Sequence, residues 1–574
     1  MNIDLKKEFD TNKLFAALEE KIAVFRSKNS DRRSVVLGIV IFCIFVLGEA
    51  WIADDSFHGF AMTRNFMNGY GLVYNIGERT NAATSPMMLL MTTFLSCITR
   101  HIELTAIMIG AVSSAAAYYI LIRKLKSKLS VFVATFICII SYSFMAFTTS
   151  GLETSLIYLI QVMYFDYIYD HKGNYSFKEL LYIAFLCSLS LLTRFDTCFL
   201  LFFSTAYIFL TKRECGIAKM LLAGIAGLMP FVIWLMFSVI YYGYPFPNTF
   251  YIKLRTDIAM TEYLVKGLQY YGMAVISDTI TVVVIVVGII VLLKDKKEKW
   301  LHRWIVIGIL SKCIYILRIG GDFMLGRHFA GLFFVSLYIV MRYIESDEIS
   351  EKGIITEKTI ICSFIVLFMM GLENTPWSWR TTSFWPPISD IQDERAGYIY
   401  YTNLFRIIED EITGENHPLM VWKPKRTEDI EECIAKGYHG DVLEWAPGIS
   451  VYNYGDRLHM TDQGSVADPL LPYMPVDFER SKIFVLKNKG KLLDNKGEWR
   501  IGHLQRKIPE GYRESLWQDR NLIVDPEIHE LYDKILVVVR GDLFTKERFR
   551  AIWELNTRYT KNDSLNIENN AAEE

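Results

Sequence analysis

The chain is poor in the features that mark several common protein classes. Its nine cysteines form no CxxC pair and no metal-ligand spacing, and Cys43, Cys138, Cys187 and Cys362 sit inside apolar runs, where a free thiol behaves as a small hydrophobe. Only Cys433 falls after residue 373, which excludes an internal disulfide there. Basic and acidic residues nearly cancel, 61 against 63, so nothing resembles a nucleic-acid footprint. No internal repeat is visible. A cleavable signal peptide is not expected either: the first apolar run, 34 to 53, is too long for one, and Trp51 stands where a small residue is needed.

What the chain has is hydrophobic length. Hydrophobic residues make up 52% of the 574, mean hydropathy is +0.22, and separate apolar runs recur along the first two thirds. Crossing a bilayer takes about 20 helical residues, so a polytopic α-helical membrane protein is expected. Residues 1 to 33 carry an amphipathic pattern (Leu14, Phe15, Leu18, Ile22, Phe25) followed by Arg26, Lys28, Arg32 and Arg33, which keeps that end in the cytoplasm. The short run 87 to 98 is read as a juxtamembrane helix in the outer leaflet. Spans then follow near 104 to 122, 129 to 148, 152 to 169, 178 to 193, 197 to 211, 218 to 241, 272 to 293, 302 to 318, 328 to 343 and 358 to 373. This choice places every basic cluster inside: Arg123 to Lys128, Lys212 with Arg213, Lys294 to Lys299, and Arg342 with Lys352 and Lys358. The expected organisation is thus a cytoplasmic segment (1 to 33), an eleven-span module (34 to 373), an extracytoplasmic mixed α/β domain (374 to 560) and a disordered tail (561 to 574). In the soluble part, 404 to 412 and 428 to 437 read as helices, and 449 to 454, 482 to 486 and 534 to 539 as strands.

The outer face collects isolated charges on five loops. After the first span come Asp54 and Asp55, then SGLETS (150 to 155), TRFD (193 to 196), YYGYPFPNTFYIKLR (241 to 255) and RIGGDFMLGRH (318 to 328). An acid pair at a membrane surface is either a stop for the preceding helix or a site of chemistry. Carboxylates beside cations at a lipid interface suit transfer from a lipid-linked phosphate. Arg327, His328, Lys253, Arg64 and Arg194 are candidates to hold the phosphate, and Asp54 or Asp55 to act as base. His58, one helical turn on, could orient the pair. Each remaining residue has a plain alternative: Arg194 pairing with Asp196, Asn248 capping a turn after Pro247, Glu153 facing a helix dipole, and Asp322 closing a Gly-Gly-Asp turn. In the soluble part Asp393, Arg395, Asp462, Asp468, Arg500 and His503 are candidate acceptor contacts, with surface pairing as the alternative for each. Carboxylates alone leave a divalent metal open.

These stretches carry a resemblance. The acid pair after span one resembles that of C-type (GT-C) polyprenyl-phosphate-dependent glycosyltransferases. The ordered series DDSFHGFAMTRNFMNGYGLVYNIGERTNAATSP, SGLETS, TRFD, YYGYPFPNTFYIK, GGDFMLGRHF, IQDERAGY (391 to 398), TDQGSVADPLLPYMP (461 to 475), WRIGHLQRKIPEGY (499 to 512) and GDLFTKERFRAIW (541 to 553) is similar to the terminal β-arabinofuranosyltransferases of mycobacterial cell-wall arabinan and their bacterial relatives. TRFD departs from that family's loop in lacking a proline. The resemblance implies a membrane glycosyltransferase of the bacterial inner membrane. It implies a decaprenyl-phospho-arabinose type of donor, a glycan acceptor on the extracytoplasmic side, and a catalytic aspartate at Asp54 or Asp55, with Asp55 the favoured base. The competing classes are a flippase of lipid-linked saccharides, expected to show midplane charges and repeated halves, and a membrane-anchored glycan-binding scaffold.

Overall fold

The computed structural model describes residues 32–254, 256, 258–345, 391–413, 424–443, 447–482 and 499–558. The first helix, Arg32–Gly48, runs into a buried extended stretch that delivers Asp54 and Asp55 to the start of helix Ser56–Met67. That stretch is pinned on several sides. The Trp51 indole donates to the Ala146 carbonyl at 2.6 Å, Ala53 N–H donates to Ser150 O at 2.8 Å, and the Thr402 hydroxyl donates to Ile52 O at 2.8 Å. Fixing backbone groups in this way leaves the two acid side chains free for other partners.

Among the described residues, helices Ile102–Ile122, Ile217–Tyr242 and Lys299–Arg318 are long and apolar enough to cross a membrane. Met260–Ser277 and Thr279–Lys294 together would make a fourth, bent by 104°. The other expected spans are shorter helices or, for Arg327–Ile344, a helix buried nearly all round; residues 358 to 373 lie outside those described. Two expected spans are broken for a visible reason. At Asp278 the carboxylate accepts from Thr281 N–H (3.4 Å), the Thr281 hydroxyl (2.7 Å) and Ser143 N–H (2.7 Å), so it caps a new helix instead of continuing the old one. At Ser141 the hydroxyl accepts from Phe144 N–H at 3.2 Å, splitting 129 to 148 into Lys128–Ile140 and Tyr142–Ala146. The run 87 to 98 is helix Pro86–Thr99, opened by Ser85, which accepts from Met88 N–H.

Helices pack through small residues. A Cβ on Gly227 would lie 2.4 Å from the Ala184 Cβ, and one on Gly308 would lie 2.3 Å from the Leu200 carbonyl, so Ile217–Tyr242 meets Phe177–Thr193, and Lys299–Arg318 meets Cys198–Thr211, at backbone range.

The described part after residue 390 is mostly helical, with one parallel pair of four-residue strands, Gly440–Leu443 and His459–Asp462, in the register Gly440 to His459. Two expected strands are helices instead. Residues 449 to 454 fall in Pro447–Tyr454, and 534 to 539 in Pro526–Arg540. In the second case Asp525 accepts from Glu527 and Ile528 N–H at 2.9 and 3.0 Å, and Pro526 pre-sets the first turn; this start signal outweighs the β-branched run behind it. Residues 483 to 486 of the third expected strand lie outside those described.

This part is laced into the rest of the chain. Asn75 bonds both backbone groups of Met460, Arg79 N–H donates to Val539 O at 2.9 Å, and the fully buried Arg548 donates to Val538 O (2.9 Å), Leu543 O (3.2 Å), Ile240 O (2.7 Å) and Tyr241 O (3.0 Å). The guanidinium thereby satisfies the carbonyl end of Ile217–Tyr242, which has no helical partner of its own. Arg548→Met would strand those carbonyls and should cost about 3 kcal/mol. A lowered thermal midpoint in detergent, with earlier proteolysis within 526 to 557, is the expected result; an unchanged midpoint would remove this clamp from the account.

Candidate active site

Asp55 occupies the N-cap position of Ser56–Met67 yet makes no side-chain cap bond, because Ser56 and Phe57 N–H donate to the carbonyls of Ala53 and Asp54. Its carboxylate instead faces Arg327, Oδ2 to Nη1 at 3.6 Å, with 40% of the side chain accessible. That distance is an ion pair and not a hydrogen bond. Asp54 turns the other way and accepts from the Tyr398 hydroxyl at 3.1 Å, while its Oδ1 is buried without a partner.

Behind the pair lies a buried charge network. Glu153, just before helix Thr154–Asp170, accepts on one oxygen from Arg194 Nη1 at 3.0 Å and from Arg327 Nη2 at 3.2 Å. Arg194 has extended backbone between two helices and places its other edge on Asp196, at 2.9 and 3.2 Å, so the Arg194–Asp196 pairing foreseen as an alternative is present. It is also only part of the pattern, since Asp196 takes the Lys312 ammonium as well and lies 3.6 Å from His328 Nδ1. Asp322 closes the network at 3.8 Å from Arg327 and 3.6 Å from His328 Nε2. The turn that presents it needs glycine: Gly321 has φ +78°, and a Cβ there would sit 2.4 Å from the Tyr270 ring. A small cavity among these groups is lined by Gln161, Arg194, Asp196, Lys312, Arg327 and His328.

Electrostatics sort these groups. Loss of water on the side facing the network pushes the partly open Asp55 carboxyl up to about 6, with Arg327 opposing the shift and Asp54 and Asp322 adding to it. Burial likewise raises Glu394 to about 8, against the pull of Arg500 at 3.9 Å. It lowers His58 to about 4, so the imidazole beside Asp54 is neutral at neutral pH. Lys253, on the short helix Asn248–Leu254, lies at the edge of the same recess, where desolvation lowers its ammonium against the pull of Asp322 and Asp55. Among the described residues no three His, Cys, Asp or Glu side chains gather as a metal site.

The expected residues therefore divide. Asp54, Asp55, Glu153, Arg194, Asp196, Asp322, Arg327 and His328 share one site, with Lys253 at its edge. Arg64 and Asn248 do not join it: the Arg64 guanidinium donates to the carbonyls of Val451 and Tyr452, and Asn248 donates to Asp468 O at 2.7 Å. Asp393 caps helix Glu394–Thr402 and accepts from Tyr142, and Arg395 pairs with Glu49. Asp462 and Asp468 form a second buried acidic group, raised by burial to about 7 and about 6; Asp468 accepts from Thr461 and Tyr512. Arg500, with His503 at 3.3 Å, flanks the site through Glu394. Sequence reasoning missed Lys312, Glu394 and Tyr398. A lone lysine within an apolar run was the available signal for the first, and the helical spacing of Glu394 and Tyr398 for the others. Scans against protein-family models and against curated proteins give no match to this chain.

The raised Asp55 pKa fixes a sign. Between the ordinary value of 3.8 and about 6, the folded protein holds a proton that the unfolded chain has released, so ionising Asp55 on raising the pH lowers stability. Asp55→Asn should therefore raise the thermal midpoint relative to the parent at about pH 8, with the gap shrinking toward about pH 5. An equal gap at both would contradict the raised value.

Proposed function

We propose that the chain is a membrane glycosyltransferase that moves a sugar from a polyprenyl-phosphate donor to a glycan acceptor on the extracytoplasmic face of a bacterial inner membrane. The observation that carries this reading is one accessible carboxylate, Asp55, raised to about 6 and set 3.6 Å from a guanidinium that is itself held by buried acids. A base poised near neutrality removes a hydroxyl proton most effectively, and fixed cations stabilise a phosphate as it leaves. In the proposed step the acceptor oxygen forms the new glycosidic bond, the bond from anomeric carbon to phosphate oxygen breaks, and the hydroxyl proton passes to Asp55. The lipid phosphate departs toward Arg327 and Lys253. Glu153, Asp322 and Arg194 act as positioning residues for Arg327, and Tyr398 for Asp54. Eleven spans with the N-terminus inside, and arabinofuranose as the sugar, belong to the same proposal and follow the charge map and the family resemblance.

Two variants test it with purified protein and a panel of polyprenyl-phosphate sugars, read as release of the lipid phosphate. Asp55→Asn should lower kcat by about 10²- to 10⁴-fold, and Arg327→Ala should weaken use of the lipid donor more than of the acceptor. Undiminished turnover by Asp55→Asn, or equal effects of Arg327→Ala on both substrates, would count against these roles.

A further inference from the structure

Helix Lys546–Thr557 has two faces of opposite character. Arg548, Ala551, Ile552 and Leu555, at the i, i+3, i+4, i+7 spacing, are buried against the chain. The same spacing on the other face gives Lys546, Phe549, Arg550 and Trp553; the two rings are 44% and 71% exposed, and Arg550 pairs with Glu554 at 2.9 Å while staying open to solvent. Phe544, just before the helix, is exposed as well. A face of aromatic and basic residues is the pattern of a helix lying in a headgroup layer, where rings sit among glycerol and acyl groups and cations among phosphates.

The position of this helix says what covers that face. Arg548 donates to the carbonyls of Ile240 and Tyr241, and Asn556 to that of Gly243 at 2.8 Å, so the helix lies across the end of Ile217–Tyr242. Among the described residues Ile217–Tyr242 is the longest single helix fit to cross a membrane, and Leu221, Leu222, Ile225, Ile233 and Met236 leave it exposed along its length. A crossing helix with that surface meets lipid, and helix Lys546–Thr557, with Phe549 and Trp553 exposed, is bonded to its end. A second, separate contact repeats the arrangement. Leu404 N–H donates to Ala50 O at 3.2 Å at the end of Arg32–Gly48, another helix with exposed apolar residues, and beside it Tyr400 and Phe405 are 78% and 66% exposed.

We propose that helix Lys546–Thr557 rests in the headgroup layer of the bilayer, on the side where Asp55 opens, with Phe549 and Trp553 against lipid and Lys546 and Arg550 at anionic headgroups. The C-terminal part is then a collar lying on the membrane, and it holds the site at the level of a lipid phosphate. The inference rests on the crossing by Ile217–Tyr242 and not on sugar transfer.

The test uses the full chain in nanodiscs of phosphatidylethanolamine and phosphatidylglycerol, with a benzophenone amino acid placed singly at Phe549, Trp553, Ile225 and, as an aqueous control, Arg457, which is half-exposed and paired with Glu431. Lipid adducts at 549 and 553, several-fold above those at 457 and comparable to those at 225, are expected. Lipid adducts at 225 without any at 549 and 553 would overturn the collar while leaving the span intact. Adducts at 549 and 553 to another stretch of this chain or to a second copy would overturn it by naming a different occupant, and no lipid adduct at 225 would remove its foundation. None of these results depends on turnover.

Discussion

A single buried carboxylate oxygen, that of Glu153, is shared by two guanidiniums, and the rest of the site is arranged around that sharing. A charge withdrawn from water must be paired and hydrogen-bonded, or it costs several kcal/mol. With Arg194 at 3.0 Å and Arg327 at 3.2 Å, Glu153 is compensated twice over, which obliges each arginine to spend its remaining donors elsewhere. Arg194 turns to Asp196, Asp196 recruits Lys312, and four helices are tied through side chains that would be costly to bury singly. Removing Glu153 would take from both Arg194 and Arg327 the anion they share, so the arrangement holds as a unit.

Asp55 is what this unit leaves over. Arg327 divides its charge among Glu153, Asp322 and Asp55, and only the pairing with Glu153 is close enough for a hydrogen bond. Burial then outweighs attraction, and the carboxyl rises to about 6. Asp54, one residue earlier, faces the Tyr398 hydroxyl. Two adjacent aspartates thus differ through their neighbours: the carboxylate of Asp55 faces a guanidinium, and that of Asp54 a phenol hydroxyl.

Much of this was legible in the sequence because the relevant signal is charge at the ends of apolar runs. Asp55, Glu153, Arg194, Asp196, Asp322 and Arg327 lie on four of the five loops that the charge map put on one face, and they converge. What was not legible depends on long-range partners. Lys312 sits inside an apolar helix and has meaning only because Asp196 faces it. Glu394 and Tyr398 come from a helix some 340 residues beyond the acid pair. Arg64 and Asn248 look from the sequence like their neighbours in charge and polarity, yet they spend their donors on carbonyls. In the C-terminal part, the β-branched stretch before Arg540 matched a strand by composition, whereas the Asp525 cap and Pro526 decided for a helix.

The proposed role of Asp55 as base depends on its proton affinity. An infrared difference titration of the parent protein against Asp55→Asn, following the carboxylate band, measures it without any substrate. A midpoint near 6 is predicted. A midpoint near the ordinary 3.8 would mean that the buried network does not act on Asp55, and would contradict its assignment as the base.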